Sequence, residues 1–201
     1  MKGMTSAEMA PDSVDPRIRR TRLLLRDALA RLLTKKGFDE ISVQDIAEEA
    51  TINRATFYAH YPDKYALLEC VTASRFYALL DERGAKFDDG DCAAAFRSTV
   101  LAVCDYLASF QDAACAKHHE NRRQTQPHME LAMIAVLRKL FLDGLKKHPP
   151  GNGVSPEMIA TTASWAIFGA AKEWASSPNR VPAEKIVEVV VNLVLPVFQS
   201  A

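Results

Sequence analysis

Apolar residues recur along most of this chain at helical spacing. Between 43 and 50, Val43, Ile46, Ala47 and Ala50 fall at i, i+3, i+4 and i+7, leaving Gln44, Asp45, Glu48 and Glu49 on the opposite face. Farther on, Tyr65, Leu68, Thr72, Phe76 and Leu79 keep the same period. Chemical breaks interrupt it at Gly37, at Pro62, at Asp88-Asp89-Gly90-Asp91, across the polar run 121–127, at Pro149-Pro150-Gly151-Asn152-Gly153 and across 176–182. Pattern and breaks together predict nine helices, at about 17–36, 43–50, 54–61, 64–86, 92–110, 112–122, 127–147, 156–176 and 183–198. Only Val189-Val190-Val191 suits a strand, and Ile186, Leu193 and Val197 extend that run at helical spacing as well.

Residues 42–64 are the most informative stretch, reading as two short helices joined by a tight turn and followed at once by a third. Ser42 is placed to cap the first and Asn53 the second, and Pro62 closes the second after two turns. The second helix turns Phe57 and Tyr61 to one side and Ala55, Thr56, Tyr58 and Ala59 to the other. A surface helix in an ordinary bundle more often fills its outer face with Glu and Lys. Here the alanines permit close approach, the hydroxyls can bond phosphates and Arg54 can reach guanine edges, which suits a major groove. The chemistry makes Arg54, Ala55, Thr56 and Tyr58 candidates to meet bases or nearby phosphates, and Ser42, Gln44, His60 and Lys64 candidates to hold the backbone register. Lys64 follows the Asp63 cap, where a cation at a helix start costs roughly 0.3–1 kcal/mol unless an anion offsets it. The plainer alternative for Lys64 is a solvated lysine with no task.

The stretch resembles the tetracycline-repressor-like (TetR) family of bacterial transcription regulators. The likeness rests on Gly37-Phe38-Asp39-Glu40-Ile41-Ser42-Val43, on Asp45-Ile46-Ala47-Glu48-Glu49-Ala50 and on Thr56-Phe57-Tyr58-Ala59-His60-Tyr61-Pro62-Asp63-Lys64, and covers about residues 17–70. It implies an all-α, nine-helix chain: a helix-turn-helix head over 17–62 and a helical ligand-binding and dimerisation body over 63–201; the Asp, Ser and Pro of residues 1–16, with no long apolar run, lead to the separate expectation of a disordered lead-in. Two departures stand out. Thr51 occupies the turn where the family usually carries glycine, and a β-branched residue forced to positive φ costs of order 1–3 kcal/mol. Tyr61 stands where phenylalanine is commoner, adding only a hydroxyl.

Composition narrows the alternatives. The 201 residues carry no formal net charge, so a nucleic-acid partner requires local charge. Such charge exists in the first helix, where Arg17, Arg19, Arg20, Arg22, Arg26, Arg31, Lys35 and Lys36 face a single acid, Asp27. No signal-peptide run opens the chain, and Glu188, Asn192 and Pro196 interrupt its most apolar stretch, so a cytoplasmic protein with no membrane partner is expected. Cys70, Cys92, Cys104 and Cys115 lack paired spacing, which favours reduced thiols. Cys115, His118, His119, Glu120, His128 and Glu130 could imitate a metal site, yet no His-Glu-x-x-His, Glu-x-x-His or Cys-x-x-Cys spacing occurs. Phosphate-cradling glycine loops and nucleophile elbows are missing too, so no enzyme activity, metal or cofactor is expected.

The final helix is apolar nearly all round and must be covered on two sides, one of them by a two-fold copy: a homodimer with small residues Ala163, Ala166 and Ala170 beside Trp174 on the partner helix. The resemblance implies a small-molecule pocket within the body, for which Phe76, Phe96, Tyr106, Phe110, His128 and Trp165 are the candidate lining; plain core packing is the competing reading for each. The resulting expectation is a ligand-responsive repressor that binds double-stranded DNA at a near-palindromic operator as a homodimer and is released by an unknown small-molecule effector. The alternative is a helical ligand-binding or scaffold protein whose head no longer engages DNA.

Overall fold

The computed structural model describes residues 15–84, 92–112, 119–148 and 153–198. Among them the regular structure is helical throughout: α1 (Pro16–Leu33), α2 (Val43–Glu49), α3 (Arg54–His60), α4 (Lys64–Glu82), α5 (Cys92–Asp112), α6 (His119–Lys147), α7 (Pro156–Ser176) and α8 (Ala183–Val194), with 3-10 turns at Phe38–Glu40 and Leu195–Val197. The expected lead-in over 1–16 lies almost wholly outside the described residues, as does much of the expected helix 112–122.

Helix starts follow local chemistry. Asp15 accepts from the Arg17 amide ahead of Pro16, Asn53 accepts from the Ala55 and Thr56 amides, Asp63 from that of Ala66, and Ser155 from that of Met158. Ser42 and Asp45 form a reciprocal capping box at α2. Those bonds, with Lys36 3.1 Å away, hold the Asp45 carboxyl at about 2, well below its ordinary value.

The chain divides into two compact units. The first takes residues up to 74 together with 114–132. Its core joins Leu25, Leu29 and Leu32 of α1, Phe38 and Ile41 of the link, Ile46 of α2, Phe57 of α3, and Leu67 and Leu68 of α4. Burying an aliphatic or aromatic side chain of this size contributes about 1.5–3 kcal/mol, so the three short helices stand only because they share one core. The second unit takes residues 75–113 and 133–201, and α5, α7 and α8 pack mutually within it. A doubly bonded Arg83–Asp105 pair, both contacts 2.7 Å, and an Arg97–Glu188 ion pair tie its helices.

Several expectations change. The polar run 121–127 does not end a helix: α6 continues through Pro127, so eight α-helices rather than nine span the described residues. An internal proline costs about 3 kcal/mol through a lost hydrogen bond and a ring clash, and here Thr125 and His128 on either side of it are anchored in the first unit. The first helix stops at Leu33 and the last at Val194, where Pro196 sits in a closing 3-10 turn. Tyr65, taken as inward by its period, is half exposed, and Leu67, Leu68, Thr72, Phe76 and Leu80 form the buried stripe of α4.

Thr51 does adopt the left-handed conformation, at φ 57°. Its N–H donates to the Glu48 carbonyl and the Ile52 N–H to that of Ala47, the two bonds of a Schellman ending. The turn therefore has its ordinary geometry with an unfavourable residue in it. Replacing Thr51 by glycine relieves about 1–2 kcal/mol of left-handed strain while adding about 0.5–1 kcal/mol of unfolded-state entropy. Thr51→Gly is thus expected to raise the unfolding free energy by up to about 1.5 kcal/mol. Urea titration measures this, and a destabilised variant would contradict the strain argument.

Candidate nucleic-acid interface

α3 buries Phe57 and Tyr61 in the first unit's core and leaves Arg54, Ala55, Tyr58 and Ala59 exposed. Thr56 and His60 are half-buried at the edges of that face. Arg54 donates to the Tyr58 hydroxyl at 3.1 Å, with its guanidinium carbon 5.5 Å from the ring centroid. The two candidates are therefore one unit: a guanidinium laid along a phenol, with further N–H donors for a base edge or phosphate. Burial, and then the nearby Arg22 charge, hold the His60 imidazole below its ordinary value.

The basic residues of α1 serve two tasks. Arg31 and Lys35 reach Glu49 at 2.7 and 3.1 Å, and Lys36 reaches Asp45 at 3.1 Å, so the last turn of α1 and the turn just past it are ion-paired to α2. Arg17, Arg19, Arg20 and Arg22 remain exposed on the amino-terminal portion. Arg22 reaches the end of α3 electrostatically, which sets part of this basic surface beside His60.

Three of the expected contact residues are already engaged. Ser42 gives its hydroxyl to the capping box, donating to Asp45 and accepting from its amide. Gln44 donates to Glu48 at 2.6 Å along α2. The Lys64 ammonium donates to the carbonyls of Phe38, Asp39 and Ile41 at 2.9, 3.2 and 2.8 Å, over the Phe38 ring at 4.7 Å. An ammonium has three protons. All of them are directed at main-chain carbonyls, so Lys64 positions the link between α1 and α2, and the phosphate contact expected of it is not the geometry found.

The expected pocket residues do not converge. His128 belongs to the first unit, with Nε2 2.8 Å from Asp39 Oδ1 and its ring 5.0 Å from Phe38. Trp165 is 54% exposed and cannot line an enclosed cavity. Phe76 and Tyr106 are buried, and Phe96 packs against Phe141 and Phe198, a core cluster. The Phe110 side chain lies outside the described residues. An open groove of about 330 Å³ runs where α7 meets α8, along Ala170, Trp174, Val181, Ile186 and Val189.

Of the residues that could imitate a metal site, Cys115 and His118 and the side chains of His119 and Glu120 lie outside the described residues. Glu130 accepts from Gln126 at 2.8 Å. Among the described residues no three metal-ligating side chains cluster. Cys104 is buried, its thiol pushed up to about 12 by desolvation first and by Asp105 next, which keeps it protonated and unreactive. Cys70 accepts from the Tyr61 hydroxyl at 3.4 Å. Sequence reasoning missed the Lys64 clamp, the Glu49 ion pairs and the contacts of Thr125 and His128 with the link; none has a local spacing that announces it.

A capped helix-turn-helix with an exposed outer reading face, carried on a helical chain, defines a class: the DNA-binding regulators. Residues 25–71 match the family model described as bacterial regulatory proteins, tetR family. The HTH-type transcriptional regulator YxbF of Bacillus subtilis is 28% identical over 130 residues, 64% of this chain and 33% of that protein. The HTH-type transcriptional regulator EthR of Mycolicibacterium smegmatis is 55% identical over 38 residues, 19% of this chain and 18% of that one. The matches thus span a third or less of these curated relatives. The structure of Thermus thermophilus FadR, a TetR-family repressor solved with lauroyl-CoA, aligns over 90% of this chain and 96% of its own at 22% identity and a TM-score of 0.55. Residues 25–71 thus match the tetR-family domain, and the fold over the described residues is similar to that of the FadR structure. Among the described residues no helix is long and apolar enough to cross a membrane.

The clamp generates a prediction. Lys64→Met keeps the stem over Phe38 but removes the donors, and is expected to lower stability by about 1–3 kcal/mol. DNA affinity should fall with an unchanged salt dependence, whereas a lost phosphate contact would flatten the slope of log affinity on log salt by about 0.9. Denaturant titration and binding isotherms across a salt series distinguish the two outcomes.

Proposed function

We propose that this chain is a homodimeric transcriptional repressor that binds a near-palindromic DNA operator and is released by a small-molecule effector. The observation that carries the reading is the outer face of α3, where Arg54 is preorganised on Tyr58 between two exposed alanines. The groups that fill that face fit a major groove. The sequence features that argued for a disabled head were Thr51 and the zero net charge; the Schellman bonds around Thr51 keep the ordinary turn geometry, and exposed arginines on α1 supply local charge, both of which support a head that engages DNA.

The dimer reading draws on the second unit. Val187, Val190, Val191 and Val194 bury one side of α8, and Val189 and Leu193 leave its other side 54% and 72% exposed. Met158 and Trp165 of α7 are exposed as well. An isologous four-helix contact of α7 and α8 with their two-fold copies would cover these residues. Effector binding in the body would then favour a state in which the heads stand at the wrong separation, through α4, which runs unbroken from residue 64 to residue 82. The effector acts only by its differential affinity for the two states. FadR was solved with lauroyl-CoA, and the aromatic and aliphatic interior of the second unit suits an effector with a substantial apolar part.

Footprinting around the chain's own gene is expected to give two protected half-sites roughly 34–36 Å apart or an integral number of turns beyond that. Arg54→Ala should weaken that site by about 10- to 100-fold, a bidentate contact's share of specificity, while sparing non-specific binding. No protection at low salt would refute the repressor and favour a ligand-binding protein with a silent head. For the dimer, Leu193→Glu is expected to sediment as a monomer and lose joint occupancy of the half-sites; an unchanged dimer would remove α8 from the interface.

A further inference from the structure

The start of α6 is fastened to the link between α1 and α2 by residues distant in sequence. The Phe38 N–H donates to Thr125 Oγ1 at 3.1 Å in a buried contact across 87 residues. His128 Nε2 lies 2.8 Å from Asp39 Oδ1, and its ring packs against Phe38 at 5.0 Å and Tyr65 at 5.6 Å. Phe38 opens a 3-10 turn, so the turn itself offers its N–H no acceptor. A buried N–H left unpaired is costly, so the link is obliged to stay with whatever element supplies the oxygen.

We infer that Thr125 and His128 are positioning residues for DNA reading, acting through Phe38 and Asp39 on the link that leads into the Ser42 cap of α2. The inference rests on the DNA-binding reading above and adds a second route to it. α6 is unbroken from His119 to Lys147, so a displacement along its axis reaches the link independently of α4. The response is a switch more than a gradient, because the Phe38 N–H either has Thr125 or has nothing in the turn to replace it. Asp39 is the more exposed partner of the His128–Asp39 contact, which makes Thr125 and the ring contacts the stronger part of the fastening.

The test uses the full chain, free and with its footprinted DNA fragment. Thr125→Val keeps the shape and removes the acceptor; His128→Ala removes the ring and the Asp39 contact; His128→Gln returns a donor to Asp39. Amide hydrogen exchange in the free protein is expected to quicken about tenfold at Phe38–Ile41 and to spread into α2 and α3 in the first two variants. Affinity for the fragment is expected to fall about tenfold with an unchanged salt slope, as no phosphate contact is lost. His128→Gln should recover most of the loss seen with His128→Ala. Faster exchange with undiminished DNA affinity would reduce the contacts to a purely structural role and overturn the inference, and so would a flattened salt slope, which would mean direct phosphate contact. If the unmodified chain protects no DNA, the repressor reading fails, and exchange in α2 and α3 alone decides: unchanged exchange overturns the positioning role, quickened exchange upholds the linkage. If Thr125→Val does not fold, the His128 pair carries the comparison.

Discussion

Three carbonyls of one short link converge on one ammonium, and the head depends on that convergence. The segment 37–41 is a single 3-10 turn whose Phe38 carbonyl also accepts from the Ile41 N–H, and it lies against the fully buried Phe38 ring. A buried carbonyl without a donor would cost on the order of 1–3 kcal/mol, and the Lys64 contacts to Phe38 and Ile41 are part-buried. Lys64 answers all three, and the faces of Phe38 and Tyr65 compensate its partial loss of water. A lysine at the start of α4 thereby fixes the segment immediately before α2. The Ser42–Asp45 box continues from that fixed point, and the turn at Thr51 passes the orientation on to the reading helix.

The electrostatics of the first unit follow a division of labour along α1. Arg31 near its end, with Lys35 and Lys36 in the turn just past it, is paired with Glu49 and Asp45, which fastens α2 to α1 and removes their repulsion. Its amino-terminal arginines stay exposed, and the Arg22 charge acts on His60. A chain with no net charge can thus present a locally cationic surface. Surface ion pairs contribute little individually, at most about 1 kcal/mol each, so their value here is orientation rather than stability. Strain is tolerated in the same region: the left-handed Thr51 persists because both Schellman bonds and the shared core over-determine the turn.

Apolar surface tells a complementary story in the second unit. An aliphatic helix whose one side fills a core and whose other side holds an exposed leucine is not at rest as an isolated surface. The same helices tie inward through the Arg97–Glu188 pair, so the exposed residues stand on a rigid support rather than on a loose segment.

Most of the architecture was legible in the residue order because it rests on interactions between near neighbours. Caps at Ser42, Asn53, Asp63 and Ser155, the proline after α3 and the apolar stripe of α2 all act within four residues, and helix type follows from them. The exposed face of α3 was legible for the same reason, since Phe57 and Tyr61 could only point inward together. The tertiary structure alone decided what the polar residues of the site are bonded to. Lys64 and Ser42 carry the chemistry of phosphate ligands but are engaged by the protein's own backbone and caps. Pro127 looked like a helix end because the anchors that hold α6 around it, at Phe38 and Asp39, are more than 80 residues away. His128 and Trp165 looked like pocket lining because a wheel records which side a residue occupies and not what stands opposite. Periodicity and capping are short-range physics and are written locally; partners brought together by folding leave no spacing from which to read them.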